Sequence, residues 1–99
     1  MKATSVHRPE HKILAMMLRE LRLEAGLTQV EAAEGLGISQ TGLSDVEIGE
    51  RGIDFLFVFD ACRLYDMPIE DFVAGFKKAL GRKAKAAPRI VRRDKKRPG

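Results

Sequence analysis

Residues that could catalyse a reaction or bind a metal ion are few in this chain, and they do not form a cluster. Cys62 is the only cysteine, so an internal disulfide is impossible, and we interpret it as a buried core residue. His7 and His11 are four residues apart and could share a metal ion, but no carboxylate or thiol cluster accompanies them, so we interpret both as surface residues. A glycine-rich phosphate loop and a nucleophile elbow are both absent from the sequence. We therefore expect no enzyme activity, no cofactor and no metal site.

Length and composition describe one soluble domain. The chain has 99 residues, of which 44% are hydrophobic, enough to form a folded core. The N-terminal end has no long apolar stretch, so we expect neither a signal peptide nor a membrane span. A single thiol is typical of a reducing compartment, and we predict a cytoplasmic protein without a membrane partner.

Basic side chains are concentrated near the C-terminal end, where they could bind a polyanion. Eleven of the 18 lysine and arginine residues lie between Lys77 and Gly99 with one acidic residue, Asp94, which gives this segment a formal charge of +10 and leaves residues 1–76 at −6. Neutralising phosphates releases counterions, so we favour a role in nucleic-acid binding. Two alternatives stay open, because the segment could simply keep the protein soluble or could bind the acidic part of the same chain.

Apolar residues at helical spacing, with capping residues and prolines at the starts, predict five helices. We expect helices at residues 9–25, 29–35, 40–48 and 68–81, and a further helix that is capped by Asp54 and ends near residue 65. Thr28 and Glu31 form a capping box for the second helix, and Ser39 caps the third after a turn that contains Gly37. The aromatic run at residues 55–59 would also suit a strand, but its helical spacing continues to Tyr65. We expect residues 1–8 to form a flexible arm, and residues 81–99, with their dense charge and two prolines, to be a disordered tail.

The segment from Leu18 to Arg51, LRELRLEAGLTQVEAAEGLGISQTGLSDVEIGER, resembles the helix-turn-helix domains of phage repressors and Cro proteins. The resemblance extends to about Val73 and covers roughly two-thirds of the chain. It implies an all-α, five-helix, lambda-repressor-like domain at residues 9–80 that binds double-stranded DNA. In such a domain the second helix rests against the DNA backbone, while the third enters the major groove and reads base edges.

The resemblance assigns DNA contacts to the second and third helices and to the residue that follows them. Gln29 would contact a phosphate and support the reading helix, while Gln40 and Thr41 would touch bases. An amide such as that of Gln40 can pair with adenine through two hydrogen bonds, and the Thr41 methyl group can meet that of thymine. The alternative is that both are ordinary polar surface residues. The full predicted set is Gln29, Ser39, Gln40, Thr41, Ser44, Asp45 and Arg51.

Arg22 and Glu47 match a second family feature, an ion pair between the first helix and the end of the third. Its role would be structural, because removing one partner leaves an uncompensated charge. The alternative is two independent surface charges.

Several residues also depart from the family pattern: a small residue inside helix 2, glycines inside helices 2 and 3, and an acidic residue on the reading face. These are Ala32, Gly35, Gly42 and Asp45.

Apolar residues of the last two helices predict which faces point inward and which form an interface. The predicted inward residues are Phe55, Val58, Cys62 and Tyr65 on helix 4, and Ile69, Phe72, Val73 and Phe76 on helix 5. Leu56, Phe57 and Leu64 fall off the helix 4 stripe, and three large apolar side chains on an outer surface indicate an interface. Because family members commonly dimerise near these helices, we expect a homodimer through them. The alternative is that a rotated helix 4 or the basic tail buries them within the monomer.

Four functions remain compatible with the sequence. The first is a transcription regulator or repressor that binds an operator as a homodimer. The second is the antitoxin of a toxin–antitoxin pair, which would add a toxin as a protein partner. The third is a protein-interaction module that has lost DNA reading, and the fourth is an RNA-binding or nucleoid-like protein that acts through the basic tail.

Overall fold

The computed structural model describes residues 8–83 of the chain, which fold into five α-helices. Their bounds are Pro9–Glu24 (α1), Gln29–Leu36 (α2), Gln40–Glu47 (α3), Phe55–Leu64 (α4) and Ile69–Lys83 (α5). No strand occurs in this range, so the prediction of an all-α, five-helix fold is confirmed. The predicted arm, apart from Arg8, and the tail beyond residue 83 lie outside the described residues.

Capping residues set the starts of the three helices in the middle of the fold. The Thr28 hydroxyl accepts the Glu31 N–H at 3.1 Å, and the Glu31 carboxylate accepts the Thr28 N–H at 2.9 Å, which completes the predicted capping box. The Asp54 carboxylate accepts the Phe57 N–H at 2.8 Å in the same way. Each such cap contributes about 1 kcal/mol. Because α2 and α3 are only eight residues long each, these caps matter more for them than for α1.

The core is formed by one stripe of residues from each helix. Its buried members are Leu18, Ala32, Ala33, Leu43, Val46, Val58, Ala61, Cys62, Tyr65 and Phe72. Cys62 is a core residue as predicted, and burial raises the pKa of its thiol, which keeps the group protonated and unreactive.

His11 was expected on the surface, but it is only 7% exposed. It lies on the same face of α1 as Ala15, Leu18 and Arg22, at helical spacing, and this face points into the fold.

The inward faces predicted for the last two helices are wrong at two positions. Val58, Cys62 and Tyr65 are buried, but Phe55 is 64% exposed because it is the first residue of α4 and lies at the edge of the fold. Val73 on α5 is also exposed. Both residues line a shallow apolar groove of about 220 Å³ between α1, α4 and α5 instead of filling it.

The outer surface predicted for α4 is also partly wrong. Leu56 is 70% exposed as expected, but Phe57 and Leu64 are half-buried and pack against the core. Gly35 of α2 explains the position of Leu64, because a β-carbon at residue 35 would lie 3.0 Å from both methyl groups of Leu64. The glycine that weakens α2 therefore admits the end of α4 to the core.

Helix α5 extends further than predicted. It is helical as far as Lys83, beyond the expected end near Gly81. Ala79 and Leu80 are half-buried, so the apolar pattern continues into the last turns.

Candidate nucleic-acid interface

Helices α2 and α3 form a tight pair joined by residues 37–39. Gly37 ends α2 with a positive φ of 74°, a conformation that glycine adopts without strain, and Ser39 begins α3 directly afterwards. Leu43 and Val46 anchor one face of α3 in the core. The opposite face is polar and accessible: its exposed residues are Gln40 and Thr41, and its half-exposed residues are Ser44 and Asp45.

A buried ion pair connects α1 to the end of α3. Arg22 Nε donates to Glu47 Oε2 at 2.7 Å, and Arg22 Nη2 donates to Oε1 at 3.0 Å, a bidentate arrangement between two residues that are each 6% exposed. A third donor, Arg22 Nη1, reaches the Leu27 carbonyl at 2.8 Å. The hydrogen bond to Glu47 raises the pKa of the Arg22 guanidinium, so the pair stays charged. The predicted contact between Arg22 and Glu47 is present in this geometry.

This ion pair extends by two further hydrogen bonds to the surface of α3. Gln29 Nε2 donates to Glu47 Oε1 at 3.0 Å, and Gln40 Nε2 donates to Gln29 Oε1 at 3.2 Å. We call Arg22, Glu47, Gln29 and Gln40 the Arg22–Gln40 network. Its inner end is buried and its outer end, Gln40, is exposed. The network holds the side chain of Gln40 in place from one side.

The hydrogen-bonding capacity left on Gln40 has a specific form. An amide group has two N–H donors and one oxygen acceptor, and Gln29 uses one of the donors. One N–H and the carbonyl oxygen of Gln40 remain. That pair of groups matches the N7 acceptor and the N6 amino donor on the major-groove edge of adenine.

Tyr65 packs near the buried end of the network. Burial raises the pKa of its phenol to about 12, with a smaller contribution in the same direction from the Glu47 carboxylate. A group held neutral in this way adds no competing charge to the ion pair. Tyr65 is therefore part of the support of the site and not of its exposed face.

Ser39 and Arg51 lie at the first turn of α3. The Ser39 hydroxyl accepts the Gly42 N–H at 2.9 Å, so this side chain caps the helix and keeps its own O–H as a free donor. Arg51 comes from the loop after α3, and its guanidinium rests against Gly42: a β-carbon at residue 42 would lie 2.5 Å from Nη1 and 3.8 Å from Cζ. All seven predicted DNA-contact residues therefore belong to α2, α3 or the segments next to them.

Sequence reasoning missed two parts of this arrangement. It treated Gly42 only as a weakness of α3, whereas the structure places the Arg51 guanidinium in the space that a side chain would occupy. It also missed Glu47 as the acceptor that holds Gln29. Neither contact has a signal in spacing, because each depends on how a loop or a neighbouring helix approaches α3.

A second surface differs from the polar face of α3. Phe55, Leu56, Phe59 and Val73 are large and exposed, and we call them the apolar surface. Phe55 and Val73 border the same groove, and Phe55 lies one helical turn from Phe59, so these side chains are neighbours.

Residues 8–83 hold neither a metal-binding cluster nor a membrane-spanning helix. No three His, Cys, Asp or Glu side chains in this range come together in a way that could hold a metal ion. No helix in the same range is long and apolar enough to cross a membrane.

Comparison with known proteins is consistent with this geometry. Two crystal structures of the clp gene regulator ClgR from Corynebacterium glutamicum have a similar fold, each with 22% sequence identity. The first aligns with a TM-score of 0.68, over 77% of this chain and 81% of the ClgR chain. The second aligns with a TM-score of 0.64, over 72% of this chain and 91% of the ClgR chain. No curated protein sequence matches the chain.

The sequence profile of the helix-turn-helix family matches residues 18–72. This segment contains the Arg22–Gln40 network, the capped turn between α2 and α3, and Arg51. It is more than half of the chain, and it coincides with the predicted resemblance to phage repressors and Cro proteins, which is thereby confirmed. The chain belongs to the helix-turn-helix family of the Cro and C1 type.

Proposed function

We propose that the protein is a sequence-specific, DNA-binding transcription regulator that reads the major groove with α3. The observation that carries this proposal is the Arg22–Gln40 network, which runs from a buried ion pair to one exposed amide on the reading helix. A polar surface residue that binds nothing would not need a network of hydrogen bonds to hold its side chain in place. Preorganised donors and acceptors reduce the entropy that is lost when a base is bound.

The other predicted contacts fit around Gln40. Thr41 is exposed beside it, while Ser44 and Asp45 lie one turn further along the same helix. Asp45 repels phosphates, so its productive contact is with a cytosine amino group, which donates a hydrogen bond. The acid therefore restricts the base that α3 accepts at that position.

A role in gene regulation is supported by the fold of ClgR, which is described as a regulator of clp genes. The likeness concerns the fold, so the operator of this chain is to be determined by experiment. Selection of bound DNA from random duplexes provides it directly. Binding of the selected duplex and of a scrambled one is then titrated at two salt concentrations.

We expect the selected duplex to bind more tightly than the scrambled one at both salt concentrations, because base contacts are far less sensitive to salt than phosphate contacts. Equal affinity for both duplexes, with a steep loss at higher salt, would contradict sequence-specific reading. That result would favour the fourth function, non-specific binding through the basic tail.

The apolar surface supports a homodimer as the binding form. Its exposed residues are Phe55, Leu56, Phe59 and Val73, whereas Phe57 and Leu64 of the predicted interface pack against the core of the same chain. The proposed interface keeps Leu56 and moves toward Phe55 and Phe59. A two-fold dimer places the two α3 helices on half-sites about 34–36 Å apart, so the selected operator should be palindromic.

A further inference from the structure

We propose that Gly42 is a positioning residue for Arg51, which it holds at the side of α3, where the guanidinium binds a DNA phosphate. The inference rests on the proposed function, because its ligand is the backbone of the same DNA. It adds a second, oppositely placed support for the reading helix. It also gives a reason for glycine inside an eight-residue helix.

The contact between the two residues is close. A β-carbon at position 42 would lie 2.5 Å from Arg51 Nη1 and 3.2 Å from Ser39 Oγ, so the guanidinium occupies space that only glycine leaves open. Gly42 is buried although its neighbours Gln40 and Thr41 are exposed, as expected if the Arg51 side chain covers it. Any larger residue at position 42 has to displace the guanidinium.

The charge of Arg51 is not neutralised within the described part of the chain. Residues 8–81 contain two ion pairs, Arg8–Glu10 and Arg22–Glu47, and Arg51 is in neither. The first turn of α3 carries the partial positive charge of a helix N-terminus. A guanidinium held next to this turn, without a carboxylate, favours an anion from outside the protein.

Arg51 is the cation that the sequence itself places next to α2 and α3. No other lysine or arginine occurs between Arg22 and Arg63, and Arg22 is committed to Glu47. The chain thus supplies from the following loop the positive charge that α2 and α3 lack.

The position of Gly42 on α3 indicates phosphate and not a base as the ligand. Successive residues of an α-helix are about 100° apart, so Gly42 lies about 200° around α3 from Gln40, with Thr41 between them on the outward side. The Arg22–Gln40 network supports one side of the helix, and Arg51 lies on the other. A helix in the major groove has base edges in front of it and sugar–phosphate backbone along its sides.

Four variants test the inference: Gly42→Ala, Arg51→Ala, the double variant, and Gly81→Ala as a matched control. Gly81 also lies in a helix, but a β-carbon there would meet nothing within 4 Å. Affinity for the selected duplex and a scrambled duplex is measured at several salt concentrations. Thermal unfolding is measured in parallel.

Gly42→Ala and Arg51→Ala should each weaken binding to both duplexes by about tenfold, the effect of one charge-assisted hydrogen bond. Each should lower the slope of log affinity against log salt by about 0.9. The double variant should be no weaker than Arg51→Ala. Alanine favours a helix but its β-carbon crowds the Ser39 cap, so Gly42→Ala should stay folded with an unfolding temperature close to that of the wild type, and the parallel unfolding measurement separates a loss of binding from a loss of folding. Gly81→Ala should bind as the wild type does.

Unchanged affinity and salt slope for Gly42→Ala, with a wild type that prefers its selected duplex, would overturn this inference and leave the proposed function intact. Loss confined to one base pair would also overturn it, because Arg51 would then read a base. A wild type without any preferred duplex would instead overturn the proposed function, together with this inference. In the free protein, the NMR signals of the Arg51 guanidinium should shift in Gly42→Ala, because the guanidinium rests against Gly42, and unchanged signals would contradict the positioning.

Discussion

The polar face of α3 and the apolar surface on α4 and α5 are built in opposite ways. On α3, Gln40 is held by a series of hydrogen bonds that ends in a buried ion pair. On α4, the large side chains of Phe55 and Leu56 are mostly exposed, and Phe55 borders a groove that it does not fill. The side chains of the first surface are held in place by hydrogen bonds within one chain. The exposed apolar side chains of the second are of the kind that a partner protein buries.

The difference has a consequence for mutation. Residues that support the α3 face are part of the fold, so changing them affects both stability and binding. Residues of the apolar surface contribute little to the monomer, so changing them should affect association alone. The following variants test this contrast in order of their expected effect on folding.

Glu47→Ala should have the largest effect on folding. It leaves the buried Arg22 guanidinium without its carboxylate and removes the acceptor of Gln29, so we expect a loss of about 3–5 kcal/mol in the free energy of unfolding. Urea denaturation followed by circular dichroism measures it. Glu50→Ala, at an exposed acid three residues further along, is the matched control and should change stability by less than about 0.5 kcal/mol. Similar losses in both variants would show that the pair adds nothing beyond a surface charge.

Tyr65 should produce a loss of stability at alkaline pH. Its folded-state pKa of about 12 lies above the ordinary value of 10.0, so between these values the unfolded chain releases a proton that the folded chain retains. The stabilisation is complete below pH 10 and is lost as the pH rises toward 12, by roughly 2–3 kcal/mol.

Unfolding titrations at pH 9, 10 and 11 measure this dependence. Tyr65→Phe keeps the ring and removes the ionisable group, so its stability should fall less steeply over the same range. Parallel curves for the two proteins would show that Tyr65 does not titrate differently in the folded and unfolded states.

Phe55→Glu combined with Leu56→Glu should change the stability of the monomer little, because both side chains are mostly exposed. We expect less than about 0.5 kcal/mol per residue. The variant should sediment as a monomer in analytical ultracentrifugation and bind a palindromic duplex much more weakly than the wild type. Met16→Glu, at an exposed apolar residue of α1, is the control and should retain the wild-type mass. A wild-type protein that is monomeric at micromolar concentration, with and without DNA, would contradict the dimer.

Removing the chain after Lys83 should leave folding unchanged, since the core residues of the described range all come from residues 18–72. The truncation removes seven of the lysine and arginine residues and one acidic residue, so it should weaken DNA binding. It should also flatten the salt dependence, by about 0.9 for each phosphate that the tail neutralises in the intact protein. Circular dichroism and duplex titrations measure both effects. Unfolding of the truncated chain would show that the tail is needed for folding, and an unchanged salt slope would contradict a nucleic-acid role for the tail.

The sequence was most informative where the signals are local. The capping box at Thr28 and the caps at Ser39 and Asp54 depend on residues three apart, and they placed the helix starts correctly. The Arg22–Glu47 contact was predicted only through the family resemblance, because its partners are 25 residues apart.

The errors occurred at residues whose burial depends on how the helices pack against one another. Helical spacing places Phe55 on the same stripe as Val58, but it does not show that the neighbouring helices leave this end of α4 uncovered. Leu64 was assigned to the outer surface because the glycine that admits it, Gly35, is on another helix. Gly42 and Arg51 were both noted, but their contact depends on the path of the loop after α3.

The most direct test of the central claim is the sequence preference of Gln40→Ala. The claim is that the Arg22–Gln40 network presents one amide to one base. Its test compares affinities for the selected duplex and for duplexes changed at each position in turn, with Met16→Ala as a neutral exposed control.

We expect Gln40→Ala to lose about 1–3 kcal/mol on the selected duplex and to lose discrimination at a single base pair, an A·T pair, while its thermal stability is unchanged. Met16→Ala should keep the wild-type preference at every position. An equal loss of affinity for every duplex, or no loss at all, would contradict the reading of a base by Gln40.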